Sequence, residues 1–271
     1  MPVVTPSAFS RVPPPGTPAG DERRDQFYHD LLAILGPTQL LWTPETGDTT
    51  TSTSRDRYGV TITYDATVAS RFSPLGSLWA LDFDGTDDEA DTPDLARFTF
   101  GDGGVDQPFS IVALVNSDDI SALRVILAKW DDTTSSDVQE WILYIDENGS
   151  PTFLISDQST LGVLGRSDAT AITVGTWYLL VATYDGIASS TSIRIYLNAV
   201  RVDDTSNNSG SYAAMENTAQ EVQLGFYTGA SGPASFWNGK LAFVALTGKA
   251  LSPDENHVIK ELINAVADLS L

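Results

Sequence analysis

Cysteine is absent from the 271-residue chain, and histidine occurs only at His29 and His257. Without cysteine there is no disulfide and no thiolate metal site, so nothing indicates an oxidising compartment. Two histidines far apart in the sequence also make zinc chemistry and a Ser-His-Asp triad poor candidates. The chain therefore lacks the residues from which many metal and nucleophilic catalytic sites are built.

Basic residues are scarce, with 15 Lys and Arg against 36 Asp and Glu, for a formal net charge of −21. Such a surface repels nucleic acid and anionic membranes, so we predict neither as a partner. No run of 18 apolar residues occurs that would form a membrane-spanning helix. The first residues carry no basic and apolar leader pattern, so we expect no signal peptide.

Nucleotide-binding motifs and alternating strand-helix patterns are also missing, which disfavours a Rossmann-like or TIM-like enzyme. A glycoside hydrolase needs two carboxylates about 5–10 Å apart across a sugar cleft. Glu140 and Asp146 bracket one predicted strand and share its face with Ile142 and Tyr144. We interpret that face as an ordinary half-exposed strand surface and expect no enzymatic activity.

Short alternating strands separated by turn signals make up most of the chain. Asn148-Gly149 and Asp185-Gly186 are such turns, and aromatic residues reach 10% of the composition. This pattern predicts an antiparallel sandwich or barrel with a substantial core. The predicted strands are 60–64, 77–83, 109–115, 140–146, 177–184, 192–197, 222–226 and 240–246.

The N-terminal region differs in composition, since residues 1–20 hold six of the fourteen prolines and predict an extended arm. A helix is predicted from Asp21, the expected N-cap, to Leu35. Its apolar face either packs on the chain's own sandwich or inserts into a partner's groove, and both alternatives stay open. Residues assigned to partner docking are Pro13, Pro14, Pro15, Phe27, Tyr28 and Leu31. The sandwich is expected to stay soluble without residues 1–36.

A second helix is predicted near the end of the chain. Ser252 is its N-cap, Pro253 its first residue and Glu255 the partner in a capping box. An apolar stripe follows, which suits either a lid over the sandwich or an oligomer contact. The stripe comprises Val258, Ile259, Leu262, Ile263 and Val266.

An acidic loop follows the strand that ends in Leu81-Asp82-Phe83. Its carboxylates, Asp84, Asp87, Asp88 and Asp91, are a candidate Ca²⁺ site because calcium prefers several oxygen ligands. The alternative is a polar turn whose aspartates bond to their own backbone. Separately, Trp237 follows a small-residue loop and, with Tyr227, is a candidate sugar-binding aromatic.

Several segments, in order along the chain, resemble the laminin-G type of the concanavalin A-like lectin/glucanase superfamily. The first resembles the family's FDGxDD signature, and the others resemble its later strand motifs. These segments are 81–88, 109–115, 126–130, 176–186, 193–198 and 237–252. Ala199 departs from the pattern, since it stands where a turn glycine normally follows Asn198, so a wider turn is expected there.

The resemblance implies an all-β, two-sheet antiparallel jelly-roll sandwich over residues 38–251. The arm (1–20), the first helix (21–37) and the second helix (252–271) flank it. Some enzymes of this superfamily carry an E-x-D-x-x-E acid motif, which this sequence lacks.

We predict a non-catalytic display protein on a bacteriophage virion surface, as a capsid decoration or tail-associated component. Its partners would be capsid or tail proteins or further copies of itself. The alternative is a carbohydrate-binding or adhesion module that takes cell-surface glycans. A glycoside hydrolase is the least favoured interpretation.

Overall fold

The computed structural model describes residues 19–44, 53–64, 72–133 and 138–271. Within these ranges the chain forms two α-helices and nineteen β-strands. In chain order they are α1 (Ala19–Leu35), β1 (Thr38–Trp42), β2 (Thr53–Arg55), β3 (Thr61–Tyr64), β4 (Phe72–Leu75), β5 (Leu78–Asp84), β6 (Ala90–Thr92), β7 (Phe109–Ser117), β8 (Arg124–Asp131), β9 (Val138–Ile145), β10 (Pro151–Asp157), β11 (Gly162–Ser167), β12 (Trp177–Tyr184), β13 (Ile193–Leu197), β14 (Val200–Arg201), β15 (Thr205–Ser206), β16 (Val222–Leu224), β17 (Tyr227–Gly229), β18 (Gly232–Ala234), β19 (Asn238–Thr247) and α2 (Pro253–Ala267).

The strands form two sheets. The first has the order β14-β13-β12-β7-β19-β5-β4, with β1 also paired to β19. The second has the order β15-β11-β10-β9-β8-β16-β6-β3-β2, with the β17–β18 hairpin attached to β8. Strand pairing is antiparallel except for one residue pair between β17 and β8. The predicted class, an antiparallel two-sheet sandwich with a helix at each end, is confirmed.

Alternation along the strands divides the apolar residues between two layers. In β7, Phe109, Ile111 and Ala113 join the core between the sheets, whereas Val112 and Leu114 point to the opposite side. Both faces of this central strand are therefore buried, which explains its nearly continuous apolar sequence.

Both helices cover the outer face of the first sheet. Phe27 of α1 contacts Phe243 of β19, with ring centroids 6.0 Å apart at 73°. Ile259 and Ile263 of α2 are fully buried in the same layer. The outer face of the second sheet has no such helical cover among the described residues.

The second helix begins as predicted, because Ser252 and Glu255 form the reciprocal capping box and Pro253 is the first helical residue. Two roles were left open for this helix, a lid over the sandwich or an oligomer contact, and the structure shows it as a lid over the first sheet. Within the predicted stripe, Val258 is exposed whereas Ile259, Ile263 and Val266 are buried. Neither helix is long and apolar enough to cross a membrane, as judged over the described ranges.

Two local predictions are corrected. The first helix begins at Ala19, so Asp21 lies inside it and is not its N-cap. The turn at Asn198-Ala199 is not widened, because Leu197 and Val200 pair directly across it. Both turn residues adopt left-handed backbone conformations, with φ of 51° and 66°, so alanine occupies a position that favours glycine.

Candidate functional site

The acidic loop brings together three of its four predicted carboxylates. One oxygen from each of Asp84, Asp87 and Asp88 lies within 4.8 Å of the others. Asp88 is buried and accepts a hydrogen bond of 2.6 Å from the Asp84 amide, so the loop is also held by its own backbone. Asp91 is not part of this group, because it lies on β6 opposite Gln223. The three carboxylates fit the oxygen ligands of Ca²⁺, and that site stays a prediction.

The two predicted sugar-binding aromatics lie in different environments. Trp237 is fully buried in the core between the sheets. A buried ring cannot stack on a sugar, so this prediction is corrected. Tyr227 is half-buried on the β17–β18 hairpin and packs against an apolar cluster on the outer side of the second sheet.

The predicted docking side chains of α1 belong to the chain's own core. Phe27, Tyr28 and Leu31 are no more than 3% exposed. The Arg57 guanidinium lies 3.4 Å from the centroid of the Tyr28 ring and covers it. These three residues are not a surface that a partner could reach, which corrects their docking assignment. Pro13, Pro14 and Pro15 lie outside the described residues.

Glu140 is also corrected, since it does not lie on a half-exposed face. The register of β8 and β9 shifts between Lys129 and Trp130, and this bulge places Glu140 in the interior. Its carboxylate lies 2.9 Å from Lys129 Nζ, and both side chains are completely buried. Burial raises the pKa of Glu140, and the ammonium of Lys129 opposes that rise. This enclosed pair has a structural role, not a substrate-binding one.

A concavity of about 570 Å³ lies at the edge of the sandwich near β14 and β15. Asp203 is its buried centre and accepts two hydrogen bonds of 2.8 Å from Arg201. Asp168 and Asp204 accept backbone hydrogen bonds from Thr170 and Ala169. Asp203 is thus paired with a cation, and Asp168 and Asp204 hold the backbone, so these contacts stabilise the edge of the sandwich.

The outer surface of the second sheet has a different character, and we call it the open face. A row of paired residues crosses it from β10 to β6, as the strand registers show. Neighbouring members of such a row are about 5 Å apart, so the row spans roughly 20 Å. Its members are Leu154, Ile142, Ala128, Gln223 and Asp91, followed by Thr63 on β3. Ile142, Ala128 and Gln223 are buried, whereas Leu154, Asp91 and Thr63 are at least partly exposed.

The β9–β10 side of the open face is apolar. Trp130 and Ile142 pack together there, and Tyr144, Leu154 and Tyr227 are only partly buried around them. Burial raises the pKa of Tyr144 to about 12, so its hydroxyl remains a neutral hydrogen-bonding group. The result is a small aromatic and aliphatic surface that is separate from the core between the sheets.

A chain of hydrogen-bonded polar side chains borders this apolar surface. Trp130 Nε1 donates to an oxygen of Asp132 over 2.8 Å, and the Gln139 amide donates to the same oxygen. Ser156 Oγ donates to the Gln139 carbonyl oxygen over 3.1 Å. These contacts fix the side chains across three neighbouring strands before any ligand binds. Groups held in this way are suited to orient hydroxyl groups.

Carboxylates collect on the β16–β6 side of the open face. Burial, together with the nearby charges of Asp91, Glu89 and Asp131, raises the pKa of Glu221 to about 6. Burial also raises the pKa of Asp91. The open face therefore changes from apolar to acidic along the row.

The family is decided by the match between residues 84–255 and the third laminin-G family, described as the concanavalin A-like lectin/glucanases superfamily. The chain belongs to this superfamily. No curated protein sequence matches the chain. The matched region includes every strand of the open face except β2 and β3.

Solved structures with this fold have little sequence identity to the chain. A mutant Trypanosoma rangeli sialidase with trans-sialidase activity is similar at a TM-score of 0.60 and 14% identity, over 92% of this chain and 38% of that one. Domain 4 of a GH43 extracellular arabinanase from Geobacillus stearothermophilus, solved with arabinotriose, has a TM-score of 0.53 and 13% identity, over 83% of this chain and 98% of that one. The receptor-binding domain of botulinum neurotoxin type G has a TM-score of 0.54 and 12% identity, over 84% of this chain and 51% of that one. The chain thus spans well under half of the sialidase and nearly all of the arabinanase domain.

The sequence did not single out Trp130, Asp132 and Gln139. Trp130 and Asp132 lie two residues apart at the end of a predicted strand, where an aromatic beside a carboxylate is a weak signal. The contact with Gln139 depends on the register of β8 and β9, and the bulge that sets this register has no evident sequence signature.

Proposed function

We propose that this chain is a non-catalytic carbohydrate-binding module whose sugar site is the open face. One observation carries the proposal: the partly exposed side chains of Tyr144, Leu154 and Tyr227 are bordered by the fixed polar chain of Ser156, Gln139 and Asp132. Sugars present an apolar ring face and a rim of hydroxyls, so both halves of this surface have a counterpart in the ligand.

The architecture supports the choice of this face. The outer side of the first sheet is covered by α1 and α2, whereas no helix of the described residues covers the outer side of the second sheet. The arabinanase domain solved with arabinotriose shares the fold over nearly its whole length, which supports a sugar as the ligand class. At 13% identity that likeness supports the fold, and the residues of the open face support the site.

The binding test compares two tyrosine substitutions. Tyr227→Ala removes a ring from the open face, and we expect about tenfold weaker binding of any oligosaccharide that binds the wild type, equivalent to about 1.4 kcal/mol. Tyr178→Ala is the matched control, because Tyr178 is also half-buried but lies on β12 of the first sheet. Glycan-array screening followed by titration calorimetry measures both. Equal losses in the two variants, or no binding of any glycan by the wild type, would remove the proposal.

Absence of catalysis is part of the proposal. Asp132 is held by Trp130 and Gln139, and Glu140 is enclosed with Lys129. Neither carboxylate is poised as the acid or nucleophile of a hydrolase. Incubating the chain with a bound oligosaccharide should release no reducing ends, and any turnover lost in Asp132→Asn would show otherwise.

Calcium is a separate proposal for the loop of Asp84, Asp87 and Asp88. A cation bound only by the folded chain raises the melting temperature by mass action. We expect a rise at millimolar Ca²⁺ that chelation reverses and that Asp87→Asn abolishes. Sugar binding at the open face should persist in the same variant.

We further propose that the module is displayed on a bacteriophage virion. Support comes from the sequence: a proline-rich segment precedes residue 19, and cysteine is absent. Because the apolar face of α1 is used inside the fold, anchoring to capsid or tail proteins falls to residues 1–18. Mass spectrometry of purified particles from a cell that makes the chain tests this, and a chain found only in the free protein fraction contradicts it.

A further inference from the structure

We infer that the open face selects neutral glycans and rejects those with a terminal carboxylate sugar, such as sialic acid. This inference rests on the proposed function, because it concerns the ligand class of the same site. It arises from the distribution of charge across the row of paired residues described above.

Strand pairing places carboxylates on the β16–β6 side of the open face. Gln223 of β16 pairs with Ala128 of β8 on one side and with Asp91 of β6 on the other. Glu221 lies two residues before Gln223 and therefore on the same face of the sheet.

The end of β8 is acidic as well. Asp132 accepts a hydrogen bond from the Trp130 indole, and Asp131 pairs with Thr228 of the β17–β18 hairpin. A ligand that lies against the partly exposed Tyr227 of this hairpin would thus have carboxylates close to it. The elevated pKa of Glu221, raised to about 6 by burial and by Asp91, Glu89 and Asp131, supports the closeness of these charges.

The cation next to Trp130 in the sequence does not offset this charge. Lys129 points to the opposite side of the sheet and is completely buried. Its ammonium donates to Asp94 and to the carbonyl oxygens of Thr218 and Gln220. These buried partners neutralise its charge, so Lys129 does not attract an anion to the open face.

Hydroxyl groups suit this surface better than an anion. A sugar hydroxyl donates readily to a carboxylate, and such charge-assisted bonds are the stronger kind. A ligand carboxylate has no proton to donate at pH 7 and meets like charges across a few ångströms of partly desolvated surface. The face therefore favours neutral sugars and opposes acidic ones.

The first experiment uses one disaccharide and two trisaccharides that share a lactose core and differ only at one end. They are lactose, 3′-sialyllactose and the methyl ester of 3′-sialyllactose, which keeps the added sugar but removes its charge. Calorimetry at low ionic strength should show binding of lactose and of the ester, with the sialylated probe about tenfold weaker than the ester. Raising the salt to 0.5 M should reduce the difference in affinity between the sialylated probe and its ester, because screening shortens the range of the repulsion.

The second experiment changes the protein. The double variant Glu221→Gln/Asp91→Asn removes two charges from the open face and should bring the sialylated probe to within about threefold of its ester. The control Glu147→Gln/Glu261→Gln removes two charges elsewhere, on the turn after β9 and on α2, and should leave the gap unchanged. Circular dichroism confirms that each variant is folded.

The outcomes separate the two claims. Equal affinity for the sialylated probe and its ester would overturn the selectivity while leaving sugar binding intact. If both double variants reduce the affinity difference between the sialylated probe and its ester equally, the effect comes from net charge, and the role of the open face is overturned. If a wide panel of neutral and acidic glycans all fail to bind, the proposed function fails, and this inference fails with it.

Discussion

At the scale of single residues, Ala199 shows how the backbone can override a preferred side chain. It forms a two-residue turn with Asn198 between β13 and β14, at a φ of 66°. Non-glycine residues reach this left-handed region at a cost of about 1–2 kcal/mol. The Asn198 side chain offsets part of that cost by accepting a hydrogen bond of 2.9 Å from the Leu179 amide.

Ala199→Gly should therefore stabilise the chain by roughly 0.5–1 kcal/mol, after the greater freedom of glycine in the unfolded state is subtracted. Urea denaturation measures the change. Ala188→Gly is the control, because Ala188 is an exposed loop residue without a positive φ, and it should be neutral or slightly destabilising. A loss of stability in Ala199→Gly would mean that the turn is not strained.

Glu221 gives a residue-scale prediction with a defined pH dependence. Its pKa in the folded chain is about 6, against an ordinary value of 4.5. The folded state therefore binds the proton more tightly, and the free energy of unfolding falls as pH rises from about 4.5 to about 6. Above that window, the ionised carboxylate lowers the stability of the fold.

Glu221→Gln should raise the free energy of unfolding at pH 7 by about 1 kcal/mol, a value reduced from the full shift because solvent screens a half-buried group. The gain should vanish near pH 4. Urea denaturation at the two pH values tests this, with the exposed Glu147→Gln as the control. A gain that persists at pH 4 would assign the effect to packing and not to charge.

At the scale of elements, the bulge between β8 and β9 has the largest consequence. It turns Glu140 inward to meet Lys129, and the two side chains hold the segments of Thr99 and Thr218 against the sheet. Lys129→Met would leave the carboxylate buried without its partner. We expect a loss of about 3–5 kcal/mol, as for other broken buried ion pairs.

The double variant Lys129→Met/Glu140→Leu should recover most of that loss, because no charge is left in the interior. Chemical denaturation of both variants measures the difference. Lys260→Met, which breaks the surface pair with Glu261, is the control and should cost less than about 1 kcal/mol. A double variant as unstable as the single one would assign the effect to the loops and not to the uncompensated charge.

Strand patterns also show what the sequence can reveal about elements. β12 was predicted at its observed bounds because its apolar run ends in an Asp-Gly turn, and α2 was predicted because its capping box is local. The bulge was not predicted, since a register shift depends on which strands become neighbours. The open face depends on that register, so its polar chain is missed. Of the three strands that carry it, the sequence pattern predicts β9, the family resemblance covers part of β8, and β10 is not predicted.

At the scale of the whole molecule, the sequence does not indicate which apolar surfaces are packed inside the fold and which are exposed to solvent. The apolar face of α1 reads equally well as a core face or a docking face, because periodicity gives its direction but not its contact. The structure resolves this by placing α1 and α2 side by side on one sheet. Arg23 Nη2 pairs with Asp268 over 2.7 Å, and Lys249 Nζ donates to the Ile34 carbonyl over 2.9 Å.

This arrangement opposes the expectation that the sandwich remains soluble without residues 1–36, and it makes the division between arm and helix testable. Deleting residues 1–18 leaves every packing contact described above in place, so the melting temperature should stay within a few degrees of the full chain. Deleting residues 1–35 also removes α1 and uncovers Leu41, Phe243 and their neighbours on the first sheet. An exposed apolar surface of that size leads to unfolding or association.

We therefore expect the longer deletion to bind a hydrophobic dye and to aggregate. The shorter deletion should have the same particle size as the full chain in light scattering. Phe27→Ala in the full chain is the intermediate case, and its loss of about 3–5 kcal/mol reports the packing of one ring. If the longer deletion is as stable as the full chain, α1 is not part of the folded unit. Its apolar face would then be available to a partner, and anchoring would no longer fall to residues 1–18 alone.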